Sequence, residues 1–134
     1  YDETRLATDI AEGLGLRIVA DRNGEVVGWL KLDPGRYRSV ARTARLQMTV
    51  GVKHRGKGIG AALLRSAIAW AEAGAVDRIE SFVRENNPRA VDLYKRFGFV
   101  EEGRLRRRVR LSDGRRVDDL VLGRLVERPI ETDE

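Results

Sequence analysis

The chain has 134 residues, of which 42% are apolar and 35% charged, with no cysteine and one histidine. This composition predicts one soluble globular domain over residues 1–134. It excludes disulfides, thiolate metal sites, cysteine nucleophiles and multi-histidine metal sites, and it leaves His54 as the only histidine for a serine–histidine triad. The absence of disulfides fits a reducing cytoplasm, where we expect the protein to be located. No apolar run has membrane-spanning length, so we expect no membrane partner.

The formal net charge is +5, and 22 of the 26 basic residues are arginine. They are spread along the whole chain, with the densest cluster at Arg104–Arg110. Read as a strand, this cluster places Arg106, Arg108 and Arg110 on one solvated face. A charged outer face is the favoured interpretation, and a surface for an anionic partner is the alternative.

The first half of the chain predicts one helix followed by strands. Leu6, Ile10 and Leu14 recur every four residues, which predicts a helix over Thr4–Leu14. A strand is predicted over Leu16–Ala20, followed by a turn at Asp21–Gly24 and a second strand over Val26–Leu32. A polar loop over Arg36–Arg42 then leads to a third strand over Leu46–Val52.

The second half alternates helices and strands before a final hairpin. A helix is predicted over Ile59–Ala73 and a strand over Arg78–Val83. Asn87 and Pro88 have the residue types of a helix cap and first helical position. The buried stripe of that helix is predicted at Ala90, Leu93, Tyr94 and Phe97, and the hairpin strands at Phe99–Leu111 and Arg115–Val126. The order indicates a mixed α/β sheet with helices on its faces.

A basic, glycine-rich loop separates the third strand from the first long helix. Arg55-Gly56-Lys57-Gly58-Ile59-Gly60 holds three glycines, which let a backbone approach a ligand closely. The helix start supplies unpaired N–H groups and the positive end of the helix dipole. Together with Arg55 and Lys57, these groups favour a phosphate-bearing anion. A solvated turn is the alternative.

Three motifs now line up along the chain. They are Val50-x-x-x-x-Arg55-Gly56-Lys57-Gly58-Ile59-Gly60, then Asn87-Pro-Arg-Ala90-Val-Asp-Leu93-Tyr94-Lys-Arg-Phe97-Gly98-Phe99, and last Glu102-Gly103 followed by Asp113-Gly114 and Asp118. The first resembles the acetyl-CoA pyrophosphate loop of the GCN5-related N-acetyltransferase (GNAT) family, and the second resembles its Asn-x-x-Ala-x-x-Leu-Tyr-x-x-x-Gly-Phe helix. The third is typical of the branch with ribosomal-protein, amino-acid and small-molecule acetyltransferases.

The resemblance implies a mixed, mostly antiparallel central sheet with flanking helices that binds acetyl-CoA without a metal. In the family the strand before the loop splays from its neighbour, so the backbones of Val50 and Val52 would pair with pantetheine. The alternative for both valines is a plain core strand. The amides of the loop would bind the pyrophosphate, and Asn87 would cap its helix and touch pantetheine. The implied loop residues are Arg55, Gly56, Lys57, Gly58, Ile59 and Gly60.

Tyr94 is the implied catalytic residue. In the family a tyrosine at this position bonds the coenzyme sulfur and serves as the general acid. A phenol with a pKa near 10 holds its proton at pH 7 and can donate it. On spacing alone, Tyr94 is a core aromatic with its hydroxyl at an edge.

The general base has no clear candidate. Neutralising a lysine-like amine at pH 7 costs about 4.6 kcal/mol and an α-amine about 1.4 kcal/mol. Many relatives place a glutamate on the strand before the loop, but Ala44–Val52 contains no carboxylate. Glu80, Glu85 and Asp118 are distant substitutes, so water and carbonyl groups are the expected route. This favours α-amines over lysine side chains and polyamines.

The resemblance therefore predicts an N-acetyltransferase that transfers acetyl from acetyl-CoA to a primary amine by direct attack. The alternative is a catalytically silent acyl-CoA-binding module of the same fold. We expect no nucleic-acid partner, and a homodimer is an assembly to test. Relatives begin with a strand and a helix before this segment, so Tyr1 is expected to start inside the second helix, with those elements missing or shortened.

Overall fold

The computed structural model describes residues 4–11, 15–37 and 42–127. Within these residues, seven strands form one sheet in the order β1-β2-β3-β4-β5-β7-β6, in which only the neighbours β4 and β5 are parallel. The elements are β1 Thr4–Ala11, β2 Gly15–Arg22, β3 Glu25–Pro34, β4 Thr43–Val50, α1 Ile59–Trp70, β5 Arg78–Arg84, α2 Pro88–Arg96, β6 Val100–Arg110 and β7 Arg116–Leu125. The sheet is thus mixed and mostly antiparallel, as expected.

The first described element is a strand, so the helix predicted over Thr4–Leu14 is wrong for Thr4–Ala11. β1 pairs with β2, with Leu6 opposite Ala20 and Thr8 opposite Ile18. A four-residue apolar spacing fits an alternating strand as well as a helix, because four is a multiple of two. Leu14 and Tyr1 lie outside the described residues.

The strand before the glycine loop ends earlier than predicted. β4 stops at Val50, and Val52–His54 form a short 3₁₀ turn. The amide of Gly51 donates to the carbonyl of Val27 at 2.8 Å, and the amide of His54 then folds back onto the carbonyl of Gly51. The predicted strand is therefore right to Val50 and wrong at Val52.

Both helices begin where the sequence predicts. The side-chain oxygen of Asn87 accepts from the amide of Ala90 at 3.2 Å, and Pro88 is the first residue of α2. α1 runs into a wider turn over Ala71–Ala75 that contains Gly74 at φ 127°. Neither described helix is long and apolar enough to cross a membrane.

Both helices pack on one face of the sheet, here called the helix face. The connections β4-α1-β5 and β5-α2-β6 join parallel strands and step the same way along the sheet. Right-handed crossovers then place both helices on the same side. The core on this side includes Leu30, Leu46, Leu63, Ile79 and Leu122, all at most 1% exposed. In the described part of the chain, no helix covers the opposite face, here called the open face.

β4 and β5 part soon after they meet. They pair only over Thr43–Arg45 and Arg78–Glu80, at their amino-terminal ends. β5 pairs with β7 on its other side over its full length. The two parallel strands therefore enclose a V-shaped gap, here called the split, whose wide end lies beside the glycine loop.

β6 does not alternate regularly. Arg107 has φ 53°, and the pairing with β7 shifts between Leu105 and Val109. Arg108 consequently reaches Asp119, with 2.8 Å between Nη1 and Oδ2. The prediction that Arg106, Arg108 and Arg110 share one solvated face is wrong for Arg108. The three residues Arg106–Arg108 stand opposite the single residue Asp118, which breaks the regular alternation of the strand.

Candidate active site

The edge of β4 that faces the split offers free backbone groups. The hydroxyl of Ser81 on β5 donates to the carbonyl of Leu46 at 3.1 Å, so that carbonyl points into the split. Successive residues of a strand alternate in direction, so the backbone groups of Met48 and Val50 point the same way. Nε of Arg55 donates to the carbonyl of Val50 at 3.4 Å. Met48, rather than Val52, is therefore the second residue of this edge.

The glycine loop leaves room beside the start of α1. Gly56 and Gly58 have φ of 78° and 83°, which side chains rarely adopt. A Cβ on Gly58 would meet no atom within 4 Å. The amide of Ala62 makes the first helical bond, to the carbonyl of Gly58, so the preceding three amides lack helical partners.

Three cations surround this loop. Arg55 and Lys57 are exposed within it. The third is Arg89 of α2, whose Nη1 lies 3.7 Å from where a Cβ of Gly56 would be. Sequence reasoning missed Arg89, because only the fold brings α2 to the loop.

Ile59 and Gly60 differ from the rest of the loop. The side chain of Ile59 is buried in the core, so only its amide can face an anion. A Cβ on Gly60 would lie 3.0 Å from Cδ2 of Leu93, so this glycine permits close packing of α1 against α2. Both residues thus have a packing role besides the amides they offer.

Tyr94 combines a core ring with a polar end. It is 4% exposed, and its ring packs edge-on against Phe99 with 5.0 Å between centroids. Burial raises the pKa of the Tyr94 hydroxyl, and a hydrogen bond with Ser81 opposes that shift in part. The phenol is therefore protonated at neutral pH, as a proton donor requires.

Ser81 is a second site residue that the sequence did not reveal. It is 2% exposed and lies at the narrow end of the split, between Leu46 and Tyr94. A buried hydroxyl in an apolar core is stable only when it is hydrogen-bonded. The alternation of β5, with Ile79 and Val83 also inward, was the available signal.

Two of the three carboxylates considered as bases lie together at Arg104, and the third lies apart from them. Glu85 and Asp118 both bind Nη1 of Arg104 at 2.9 Å, and Asp118 also accepts from the amide of Arg107. That amide, and then Arg104, lower the pKa of Asp118. Glu80 lies on the open face at the narrow end of the split, with its Oε1 3.3 Å from Nε of Arg78.

Comparison with known proteins agrees with this arrangement. The acetyltransferase (GNAT) family model matches residues 2–99. The L-amino acid N-acetyltransferase AaaT of Escherichia coli is 30% identical over 118 residues, which are 87% of this chain and 72% of that protein. The spermidine N(1)-acetyltransferase of Vibrio cholerae is 33% identical over 66% of this chain and 50% of its own length.

A solved structure agrees as well. The GNAT-family acetyltransferase of Streptococcus pneumoniae superposes with a TM-score of 0.80 at 28% identity, over 87% of this chain and 69% of that one. The family match covers most of the chain, and the fold and the glycine loop agree with it. The chain therefore belongs to the acetyltransferase (GNAT) family and is an N-acetyltransferase with acetyl-CoA as its acetyl donor.

Proposed function

We propose that this protein acetylates a primary amine by direct attack within a ternary complex, and that the split between β4 and β5 is the reaction site. One observation carries the proposal. The free edge of β4 leads from the glycine loop at the wide end to the buried hydroxyls of Ser81 and Tyr94 at the narrow end. An elongated donor with an anionic end and a reactive end fits that path.

The donor would be held by backbone groups and cations. The loop amides, from Arg55 to Gly60, face the pyrophosphate, and Arg55, Lys57 and Arg89 add positive charge. The free edge at Met48 and Val50 pairs with the amides of pantetheine. The side-chain oxygen of Asn87 accepts the hydrogen bond of the helix cap, so its side-chain nitrogen can donate to the acetyl donor.

Tyr94 is the proposed general acid. The donor supplies a thioester, whose sulfur leaves when the amine attacks the carbonyl carbon. The neutral phenol of Tyr94 donates its proton to that sulfur. Ser81 then stabilises the phenolate, because its hydroxyl can turn from the carbonyl of Leu46 toward Tyr94.

The attacking amine must be neutral. β4 carries no carboxylate from Thr43 to Val50. Glu80 is the carboxylate at the narrow end of the split on the open face, and it can take the proton directly or through water. An α-amine needs less free energy than a lysine side chain to become neutral at pH 7, by about 3 kcal/mol at a peptide N-terminus, so it suits a site with one ion-paired acid.

The test is a measurement of binding and turnover on the same sample. Calorimetry with acetyl-CoA reports donor binding, and release of free thiol with an amine panel reports transfer. Turnover with at least one amine supports the proposal. Binding without turnover on α-amino acids, N-terminal peptides, aminoglycosides or polyamines favours the silent acyl-CoA-binding module, which the lack of a carboxylate on β4 would permit.

We also infer a cytoplasmic location, because the sequence has no cysteine to stabilise it in an oxidising compartment. A homodimer is a further expectation, which analytical ultracentrifugation measures directly.

A further inference from the structure

Two arginines and a phenylalanine form a cluster on the open face, next to the narrow end of the split. The guanidinium carbon of Arg45 lies 4.2 Å from the ring centroid of Phe82, and that of Arg108 lies 5.2 Å from it. Asp119, which is 6% exposed, binds Arg108. These four residues are here called the arginine–phenylalanine cluster.

Among the described residues, Arg45 is the arginine of this cluster that has no carboxylate partner. Arg108 is neutralised by Asp119 at 2.8 Å. Glu80, opposite Arg45 in the β4–β5 pairing, binds Arg78, which also binds Glu102. Within the described residues, no carboxylate pairs with Arg45.

The stacking of Arg45 prepares it for an anion. A guanidinium that lies on an aromatic ring uses its flat face for that contact. Its N–H groups lie in the plane of the group and stay free to bind a carboxylate with two parallel hydrogen bonds. The ring of Phe82 also restricts the side chain, so less entropy is lost when an anion binds.

This cluster lies where an acceptor would enter. Leu93 and Tyr94 of α2 and the side chains of Met48 and Val50 occupy the helix face beside the split. Among the described residues, this leaves the open face as the side from which an amine can reach the reacting carbonyl. Arg45 adjoins Leu46 and Phe82 adjoins Ser81, and Leu46 and Ser81 join the two strands at the narrow end.

We infer that the acceptor is a small α-amino acid and that Arg45 binds its carboxylate on the open face while the amine enters the split. This rests on the proposed acetyl transfer. Because the cluster and the reacting end are separated by only the thickness of the sheet, the amine and the carboxylate must be close together in the acceptor. A polyamine would place a second cation against Arg45 and be repelled.

The test compares acids with their own carboxamides. L-Alanine, L-methionine and L-phenylalanine are each assayed beside the matching amide, with spermidine as the polyamine, by thiol release and mass spectrometry of the product. The amide has nearly the same size and a less basic amine, so chemical reactivity alone favours the amide. We expect kcat/KM to favour the acids by at least about tenfold, and amides that react as well as acids would overturn the inference.

Arg45→Gln is the decisive variant. We expect it to lower kcat/KM for the acids about 10- to 100-fold, the loss of a charge-assisted pair of hydrogen bonds, and to leave the amides unchanged. Arg45→Lys should recover part of the loss. The matched control is Arg65→Gln, since Arg65 lies over Phe97 at 5.8 Å on the helix side. An equal loss for acids and amides, or the same loss in the control, would contradict the role of Arg45.

Binding separates this inference from the proposed function. If acetyl-CoA binds and no amine is acetylated, the proposed acetyl transfer fails. Calorimetric titration of the CoA-loaded protein with L-phenylalanine and its amide then decides the inference on its own. Binding of the acid that is weakened at least about tenfold in Arg45→Gln supports the carboxylate site, and equal affinity for acid and amide, or no binding of either, rejects it.

Discussion

The hydroxyl of Ser81 donates a 3.1 Å hydrogen bond to the carbonyl oxygen of Leu46, just beyond the last backbone pairing of β4 and β5. A side-chain hydrogen bond thus links the two strands one residue beyond the point where their backbones separate. The same hydroxyl is also hydrogen-bonded to the side chain of Tyr94. The narrow end of the split and the proposed proton donor therefore depend on one buried group.

Replacing Ser81 by alanine tests this dependence. The carbonyl of Leu46 and the hydroxyl of Tyr94 would both lose a buried partner, which is expected to lower the free energy of unfolding by about 1–3 kcal/mol. Urea denaturation followed by circular dichroism measures it. Ser66→Ala in α1 is the control and should stay within about 0.5 kcal/mol of the unmodified chain. A Ser81→Ala protein that is as stable as the unmodified chain would show that the hydrogen bonds of this hydroxyl do not stabilise the narrow end of the split.

Tyr94→Phe tests the general acid. Removal of the hydroxyl should lower kcat about 10- to 1000-fold, because the leaving sulfur loses its proton donor, while the Kd of acetyl-CoA changes little. Steady-state rates and calorimetry on the same protein give both numbers. Tyr37→Phe is the matched control, since Tyr37 is 69% exposed. A kcat within twofold of the starting value would remove Tyr94 from the mechanism.

The same tyrosine should destabilise the fold at high pH. Burial raises the pKa of Tyr94 above 10.0, so the unfolded chain releases this proton at a lower pH than the folded chain does. The contribution to stability is therefore complete below pH 10 and is lost as the pH rises through the folded pKa. We expect the urea midpoint to fall more steeply between pH 10 and 11.5 in the unmodified protein than in Tyr94→Phe. Parallel curves would mean that Tyr94 titrates alike in both states.

Gly58 is the cleanest probe of the loop. A side chain there is strained at φ 83° but meets no atom, whereas one on Gly60 would press on Leu93. Gly58→Asp should abolish acetyl-CoA binding, because its carboxylate would face the pyrophosphate. Gly58→Asn is the control, because it shares the shape and tolerates a positive φ without the charge. Calorimetry should give measurable affinity for Asn and none for Asp. Equal affinities would contradict the assignment of an anion site.

Local chemistry explains why some elements were predictable. The start of α2 followed from Asn87 and Pro88, and its end from Gly98, which has φ 91°. Each of these signals acts within a few residues, so no knowledge of the fold is needed. The strand predicted over Arg78–Val83 was likewise confirmed, as β5 over Arg78–Arg84.

The errors arose where contacts between separate elements decide the structure. β1 is a strand because β2 pairs with it, and its four-residue spacing could not distinguish the two periods. Arg89 reaches Gly56, and Arg108 reaches Asp119, only through the packing of separate elements. The insertion of β7 between β5 and β6 likewise follows from pairing over many residues.

The hydrogen bonds that Asp118 accepts from Arg104 and Arg107 in the β6–β7 hairpin should make the fold sensitive to acid. The amide of Arg107 and the guanidinium of Arg104 lower the pKa of Asp118 below 3.8, so the unfolded chain takes up this proton first. The stabilisation is therefore present above pH 3.8 and is lost as the pH falls through the folded pKa. We expect the urea midpoint to drop less between pH 5 and pH 2 in Asp118→Asn than in the unmodified protein. Asp92→Asn, which removes an exposed carboxylate of α2, should leave the slope unchanged. A slope equally steep in Asp118→Asn would place the acid sensitivity in other carboxylates.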